Sequence, residues 1–167
     1  TTPTQTASLG ENRTALSVAA GYGHTCSILD DGSVKCWGRY QQGELGLYNC
    51  GLPEVSCNSP TEAVNLGENR SAVSISAGYA HTCVMHDNTD YNWDVMGGTI
   101  RKVSCWGANT NGELGLGYTN GSWDQHAPAE ISSLETNPLF TPGTISTSWK
   151  HTCILMAEPV FDLQNWT

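Results

Sequence analysis

An all-β fold of repeated antiparallel units is what the 167-residue sequence predicts, on three observations. The stretch GYGHTCSILDDGSVKCWG at 21–38 returns as GYAHTCVMHD…RKVSCWG at 78–107, and its first half returns as SWKHTCIL at 148–155. No segment sustains the apolar period of a helix. Charged residues are only 14%, with 18 glycines and abundant Ser and Thr, a composition that suits turn-rich β structure.

The repeated stretch reads as strand, turn, strand. Successive side chains of a strand alternate faces, so His24, Cys26 and Ile28 share one face and Thr25, Ser27 and Leu29 the other. Asp30-Asp31-Gly32 is the turn, with Gly32 in the left-handed conformation that closes a three-residue loop. That loop sets Ile28 opposite Val34 and Cys26 opposite Cys36; a two-residue loop would slip the register and set Cys26 against Trp37. Directly opposed cysteines lie within disulfide reach, which predicts a Cys26–Cys36 bond. Cys83 and Cys105 obey the same parity and predict a second bond. Each is expected to stabilise by roughly 2–3 kcal/mol.

Matching segments divide the chain into unit one at 2–58, unit two at 59–126 with a hairpin-tip insertion at 87–101, and a partial unit three at 127–167. LGENR at 9–13 and 66–70 is offset by 57, whereas CWG and GELGL are offset by 69. Periods of this size mark propellers and solenoids, whose units bury their faces on their neighbours. Unit one reads as four strands: an edge at TQTAS, then LSVAA, HTCSIL and VKCWG, followed by the blade connection GELGLY. Four antiparallel strands per unit make a propeller blade. About two and a half blades are too few to close a ring, so the propeller is incomplete and its open edges invite further strands.

The pattern G-Y-x-H-T-C…D-G-x-V-x-C-W-G…G-E-L-G-L resembles the regulator of chromosome condensation repeat family, and its cysteine-bearing extracellular members in particular. The resemblance covers essentially the whole chain. It implies seven-bladed propellers with binding roles: nucleotide exchange on a small GTPase, inhibition of β-lactamases, or scaffolding within larger proteins.

Seven cysteines at repeated spacings point to an oxidising compartment, hence an extracellular or cell-surface location. Four N-glycosylation sequons agree, at Asn12, Asn69, Asn120 and Asn165, the first two at equivalent repeat positions. The chain opens on Thr1 and reads as a mature or excised piece. No apolar run approaches membrane-spanning length, which predicts no membrane insertion. The net charge of −9 argues against nucleic acid and anionic membranes as partners.

Cys50 and Cys57 are expected to close a small loop between units. Cys153 then lacks a partner: the natural polypeptide is longer, or Cys153 bonds another chain, or it is a free thiol. His24, His81 and His151 each stand two residues before a cysteine, the arrangement of a base beside a thiol nucleophile. Recurrence in every unit favours structural histidines bonded to neighbouring backbone. Asp90, Asn92 and Asp94 imitate the opening of a calcium loop, but Val95 and Arg101 stand where Gly and Glu are required. A polar hairpin tip without metal is the better reading, and Trp93 at that tip is a candidate partner contact. No catalytic motif is recognisable, and no cofactor is expected.

The first expectation for function is a non-enzymatic structural glycoprotein segment of a larger extracellular assembly: a filament, appendage or surface coat. Its partners would be further repeats of a longer chain, other copies of itself, and N-linked glycans. The alternative is a secreted recognition module or inhibitor that binds another extracellular protein through the propeller face or the 87–101 loop.

Overall fold

The computed structural model describes residues 7–50, 57–88, 101–119, 125–132 and 141–157. Nine strands fill it, and no α-helix occurs among the described residues. Strands β1 (Ala15–Ala20), β2 (His24–Leu29) and β3 (Val34–Gly38) form the first sheet in that order. Strands β4 (Arg70–Ala77), β5 (His81–Asn88), β6 (Arg101–Gly107) and β7 (Gln125–Glu130) form the second. Strands β8 (Thr141–Thr147) and β9 (Thr152–Ala157) pair as the third. Every pairing is antiparallel, as expected of blades whose strands are joined by short turns.

The hairpin register follows from its turn. Ile28 faces Val34 and Cys26 faces Cys36. Gly32 sits at φ +77°, and the Leu29 N–H donates to the Ser33 carbonyl across the three-residue loop. In the longer second hairpin, Met85 faces Val103 and Cys83 faces Cys105. The CWG glycines Gly38 and Gly107 both take φ near +107°, at +108° and +106°. A Cβ at either would strike the carbonyl of Gly23 or Ala80, so only glycine lets this strand leave the sheet there. The first strand of every blade carries an irregularity at one equivalent position: the register skips Leu16, Val73 and Gly143 in turn.

Sheets and sequence units are offset by one strand. The edge segment read as leading each unit instead closes the sheet before it. Residues 125–130, which straddle the boundary of the second and third units at 126/127, pair with β6 as the fourth strand of the second sheet. In the first sheet the equivalent segment bridges through Ala63 to Lys35, and the Val64 N–H donates to the Val34 carbonyl. The physical reason lies in the unpaired β3 and β6 edges, which face the chain as it returns from the GELGL loop. Within TQTAS, residues 4–6 lie outside the described residues, and residues 7–8 form no strand.

Two apolar cores lie between the blades. Cys26, Ile28, Val34 and Cys36 of the first blade pack with Val84, Trp106 and Ala72 of the second. Cys83, Met85, Val103 and Cys105, on the second blade's other face, pack with Ile145 of the third. The second sheet is thus buried on both faces, and each core contains a disulfide. No described helix is long and apolar enough to cross a membrane.

Candidate functional site

The His-Thr-Cys motif is a joint between blades. His24 Nε2 lies 2.9 Å from Thr82 Oγ1 of the next blade. The Thr82 hydroxyl donates to the Glu44 backbone carbonyl at 3.0 Å, and Trp106 Nε1 donates to that same oxygen at 2.8 Å. The next joint repeats this: His81 Nε2 is 3.2 Å from Thr152 Oγ1, which donates to the Glu113 carbonyl at 2.7 Å. Because each threonine has already given its one proton, the histidine donates through Nε2–H. Gly21 and Gly78 leave room for the rings, since a Cβ at either would collide with the imidazole. Burial, then the nearby His81 and Arg39 charges, pushes His24 down from 6.5 to about 4. Burial also lowers His81, Glu113 opposing the shift. The neighbouring-backbone partner expected from sequence is therefore replaced by the next unit's threonine.

No thiol–imidazole pair remains at the first two motifs. Cys26 is bonded to Cys36, Cys83 to Cys105, and Cys50 to Cys57. Cys153 occupies the equivalent position on β9, exposed and unbonded. Ser104 Oγ and His86 Nε2 approach to 3.0 Å, a nucleophile–base distance, but both side chains are fully buried. The nearby Glu130 is held by Arg70 at 2.9 Å and Lys102 at 2.6 Å. That arrangement is an internal polar cluster closed to substrate.

Among the described residues no group of three or more His, Cys, Asp or Glu side chains is placed to hold a metal ion. Asp90, Asn92, Trp93 and Asp94 lie outside the described residues, as do the sequons at Asn120 and Asn165. Asn12 and Asn69 are exposed in equivalent turns and share an unusual backbone, φ 55° and 54°. They are the two non-glycine residues with positive φ among those described. Asn tolerates that conformation better than most residues, so the turn itself gives a reason for asparagine there.

The exposed chemistry collects on one face, where the turns between the first and second strands of each blade emerge. Tyr22 stacks on Tyr79 with ring centroids 4.5 Å apart, and Tyr79 meets Trp149 at 5.9 Å. The Arg39 guanidinium lies 5.6 Å above the Tyr79 ring. It is steadied by Gln42 Oε1 at 2.9 Å and by the buried Glu44 carboxylate, whose Oε1 is 3.2 Å from Arg39 Nε. Beside the ladder is a cavity of about 150 Å³, walled by Tyr79, Ala80, Ala108 and Trp149, with Gln42, His81, Thr110, Glu113 and Lys150 at its polar side. The Glu113 carboxylate accepts from the Asn111 backbone and side-chain nitrogens, both at 2.7 Å. Burial raises its pKa, and these donors outweigh burial to hold it below the usual range. Trp93, the candidate contact expected from sequence, lies outside the described residues, and sequence reasoning did not single out this ladder on the propeller face. The signal was an aromatic residue immediately after Gly21 and Gly78, and after Ser148, in each unit.

Blades of antiparallel strands, docked face to face through one repeated polar joint, define a β-propeller repeat array. The chain belongs to the Regulator of chromosome condensation (RCC1) repeat family, whose models match residues 16–44, 31–85 and 102–155. Among curated relatives it is 27% identical to the ultraviolet-B receptor UVR8 of Arabidopsis thaliana, over 72% of this chain and 23% of that protein. It is 28% identical to the probable E3 ubiquitin-protein ligase HERC6 of Homo sapiens, over 73% of this chain and 10% of that protein. Of solved structures, Prp20p from Saccharomyces cerevisiae, a protein with binding properties to Gsp1p and histones, superposes with a TM-score of 0.67 at 19% identity. The match covers 92% of this chain and 33% of Prp20p. Human WBSCR16 superposes with a TM-score of 0.58 at 20% identity, covering 87% of this chain and 32% of that one. The chain thus spans a third or less of each of these relatives.

Proposed function

We propose that the chain is a non-enzymatic protein-recognition module that binds through the Tyr22–Tyr79–Trp149 face. One observation carries the reading: the same aromatic position recurs in three blades, exposed at Tyr22 and Trp149 and half-buried at Tyr79, and the rings form one continuous strip with Arg39 over its centre. Tyr22 is 71% and Trp149 67% exposed, a cost in water that contact with a partner removes. Rings held against one another lose little freedom on binding. The binding partners named for the yeast relative agree with a recognition role for this architecture. The test is a photo-crosslinking residue placed at Trp149, with Lys35 on the distal hairpin as control, in extract of the source cells. A discrete adduct at 149 alone is expected; equal labelling at both positions sinks the reading.

A second reading makes the chain a glycosylated structural segment of a larger extracellular assembly. It is favoured by Cys153, exposed on β9, which has a strand partner on one side only among the described residues. The disulfides and the exposed Asn12 and Asn69 are compatible with secretion. Intact mass of non-reduced natural material, before and after enzymatic deglycosylation, decides it. An adduct at Cys153 together with a sugar mass supports assembly, whereas a bare chain with a free thiol removes both supports.

A further inference from the structure

Lys150 sets the aromatic face apart from the rest of the molecule. The chain has seven Lys and Arg residues, and six of them direct their side chains at other parts of the protein. Arg13 reaches Asp30 and Asp31, Arg39 reaches Glu44, Arg70 and Lys102 reach Glu130, and Arg101 reaches Asp87. Lys35 donates to the Thr61 carbonyl. Lys150 is exposed and makes no ion pair or side-chain hydrogen bond with any described residue. It stands next to Trp149 at the edge of the cavity. In a chain of net charge −9, the one such cation among the described residues therefore lies beside Trp149 at the end of the aromatic strip.

The cavity narrows the ligand. At about 150 Å³ it is well below the roughly 300–1,000 Å³ of sites that enclose whole small molecules. It holds one side-chain-sized group. Tyr79, Ala80, Ala108 and Trp149 give it an apolar side against which an uncharged group can pack, facing Gln42, His81, Thr110, Glu113 and Lys150. The Glu113 carboxylate keeps its charge but is held in place by two hydrogen bonds from Asn111, both at 2.7 Å, and forms no ion pair with Lys150. A carboxylate one residue along a peptide would be the complement of the Lys150 ammonium, a rotatable point charge with three donors.

We propose that this pocket binds an acidic peptide segment, with one uncharged side chain seated between Tyr79 and Trp149 and a neighbouring carboxylate on Lys150. The inference rests on the recognition reading and adds the chemistry of the partner. Selection of a random phage-displayed peptide library on the disulfide-intact chain should enrich Asp or Glu beside an apolar residue. The best peptide is then synthesised with its acid and with the corresponding amide, and titrated by fluorescence anisotropy. Lys150→Gln and the amide peptide should each weaken binding about tenfold, and together little more than either alone. Lys150→Arg should hold affinity within about threefold, since it keeps the charge. Trp149→Ala should weaken both peptides alike. If Trp149→Ala abolishes binding while Lys150→Gln does not touch it, recognition stands and the carboxylate inference falls. If no peptide is enriched, or those enriched ignore both Trp149→Ala and Tyr79→Ala, both fall.

Discussion

The second and third blades carry the same motif in opposite environments. His81, Cys83 and Met85 of β5 are all buried, Met85 at 3% exposure; His151, Cys153 and Leu155 of β9 are exposed, Leu155 at 68%. Composition hardly differs between them. What differs is the neighbour: β5 has β6 beside it and a blade against each face, whereas β9 pairs only with β8 among the described residues. Stability in such an array belongs to junctions more than to units. The same residue type should therefore matter in proportion to the blades that enclose it.

The largest contrast is expected between the two CWG tryptophans. Trp106 is fully buried in the first core and donates to the Glu44 carbonyl, whereas Trp37, its equivalent in the first blade, is half-buried. Trp106→Ala should cost about 3–5 kcal/mol in denaturant unfolding, and Trp37→Ala less than half of that. Trp106→Phe keeps most of the apolar contact and leaves the carbonyl short of a donor, at about 1–2 kcal/mol. Equal costs at 37 and 106 would break the claim that junctions dominate.

Next comes the pH response of the joint. His24 titrates at about 4 in the folded chain against 6.5 when unfolded. As pH falls below 6.5 the unfolded chain takes up the proton first, so stability is lost between about 6.5 and 4 and is fully present above that window. The shift corresponds to about 3 kcal/mol. His24→Gln should be less stable than the parent at neutral pH and should show a flatter decline across the window. A parallel decline would mean that the imidazole is not the titrating joint.

The disulfides come third. Cys83–Cys105 closes 22 residues, Cys26–Cys36 10 and Cys50–Cys57 7. Loop-closure entropy ranks them in that order, at about 3 kcal/mol for the longest and about 2 kcal/mol for the shortest. Paired Cys→Ala variants compared by thermal unfolding test the ranking. A markedly larger loss at Cys26–Cys36 than at Cys83–Cys105 would place the weight on the first core, and so sharpen where the array is weakest.

How much of this was legible depends on the range of the interaction. The hairpin register could be read because two local facts determine it: alternation along β2, and the length of the Asp30-Asp31-Gly32 loop. The all-β repeat architecture was legible from the recurrence of the whole motif. The fourth strand was assigned to the wrong sheet because residues 125–130 pair with whatever edge they return to, and no local pattern names that edge. The histidine partner was missed for a similar reason. Thr82 is 58 residues from His24, and the joint exists only once two blades are docked. The aromatic ladder is equally non-local: the recurrence of Tyr22, Tyr79 and Trp149 at one motif position is visible in the sequence, but their contact exists only once the blades stack.

The smallest effect concerns Asn12, where two explanations of one residue separate. Its φ of 55° asks for Asn or Gly whatever is attached to the side chain, while the sequon Asn12-Arg13-Thr14 asks for Asn and Thr whatever the backbone does. Asn12→Gly keeps the turn and removes the sugar acceptor, so in material made without glycosylation it should leave stability within about 0.5 kcal/mol. Asn12→Ala should cost about 1 kcal/mol in the same material, since it loses the short polar side chain whose local hydrogen bonding makes the left-handed conformation tolerable. Thr14→Ala removes the sequon and leaves Asn12 in place. In secreted material a gel shift lost equally in Asn12→Gly and Thr14→Ala would assign a glycan to this turn. A shift absent from the parent would leave the backbone as the reason for asparagine at Asn12, and by repeat equivalence at Asn69 as well.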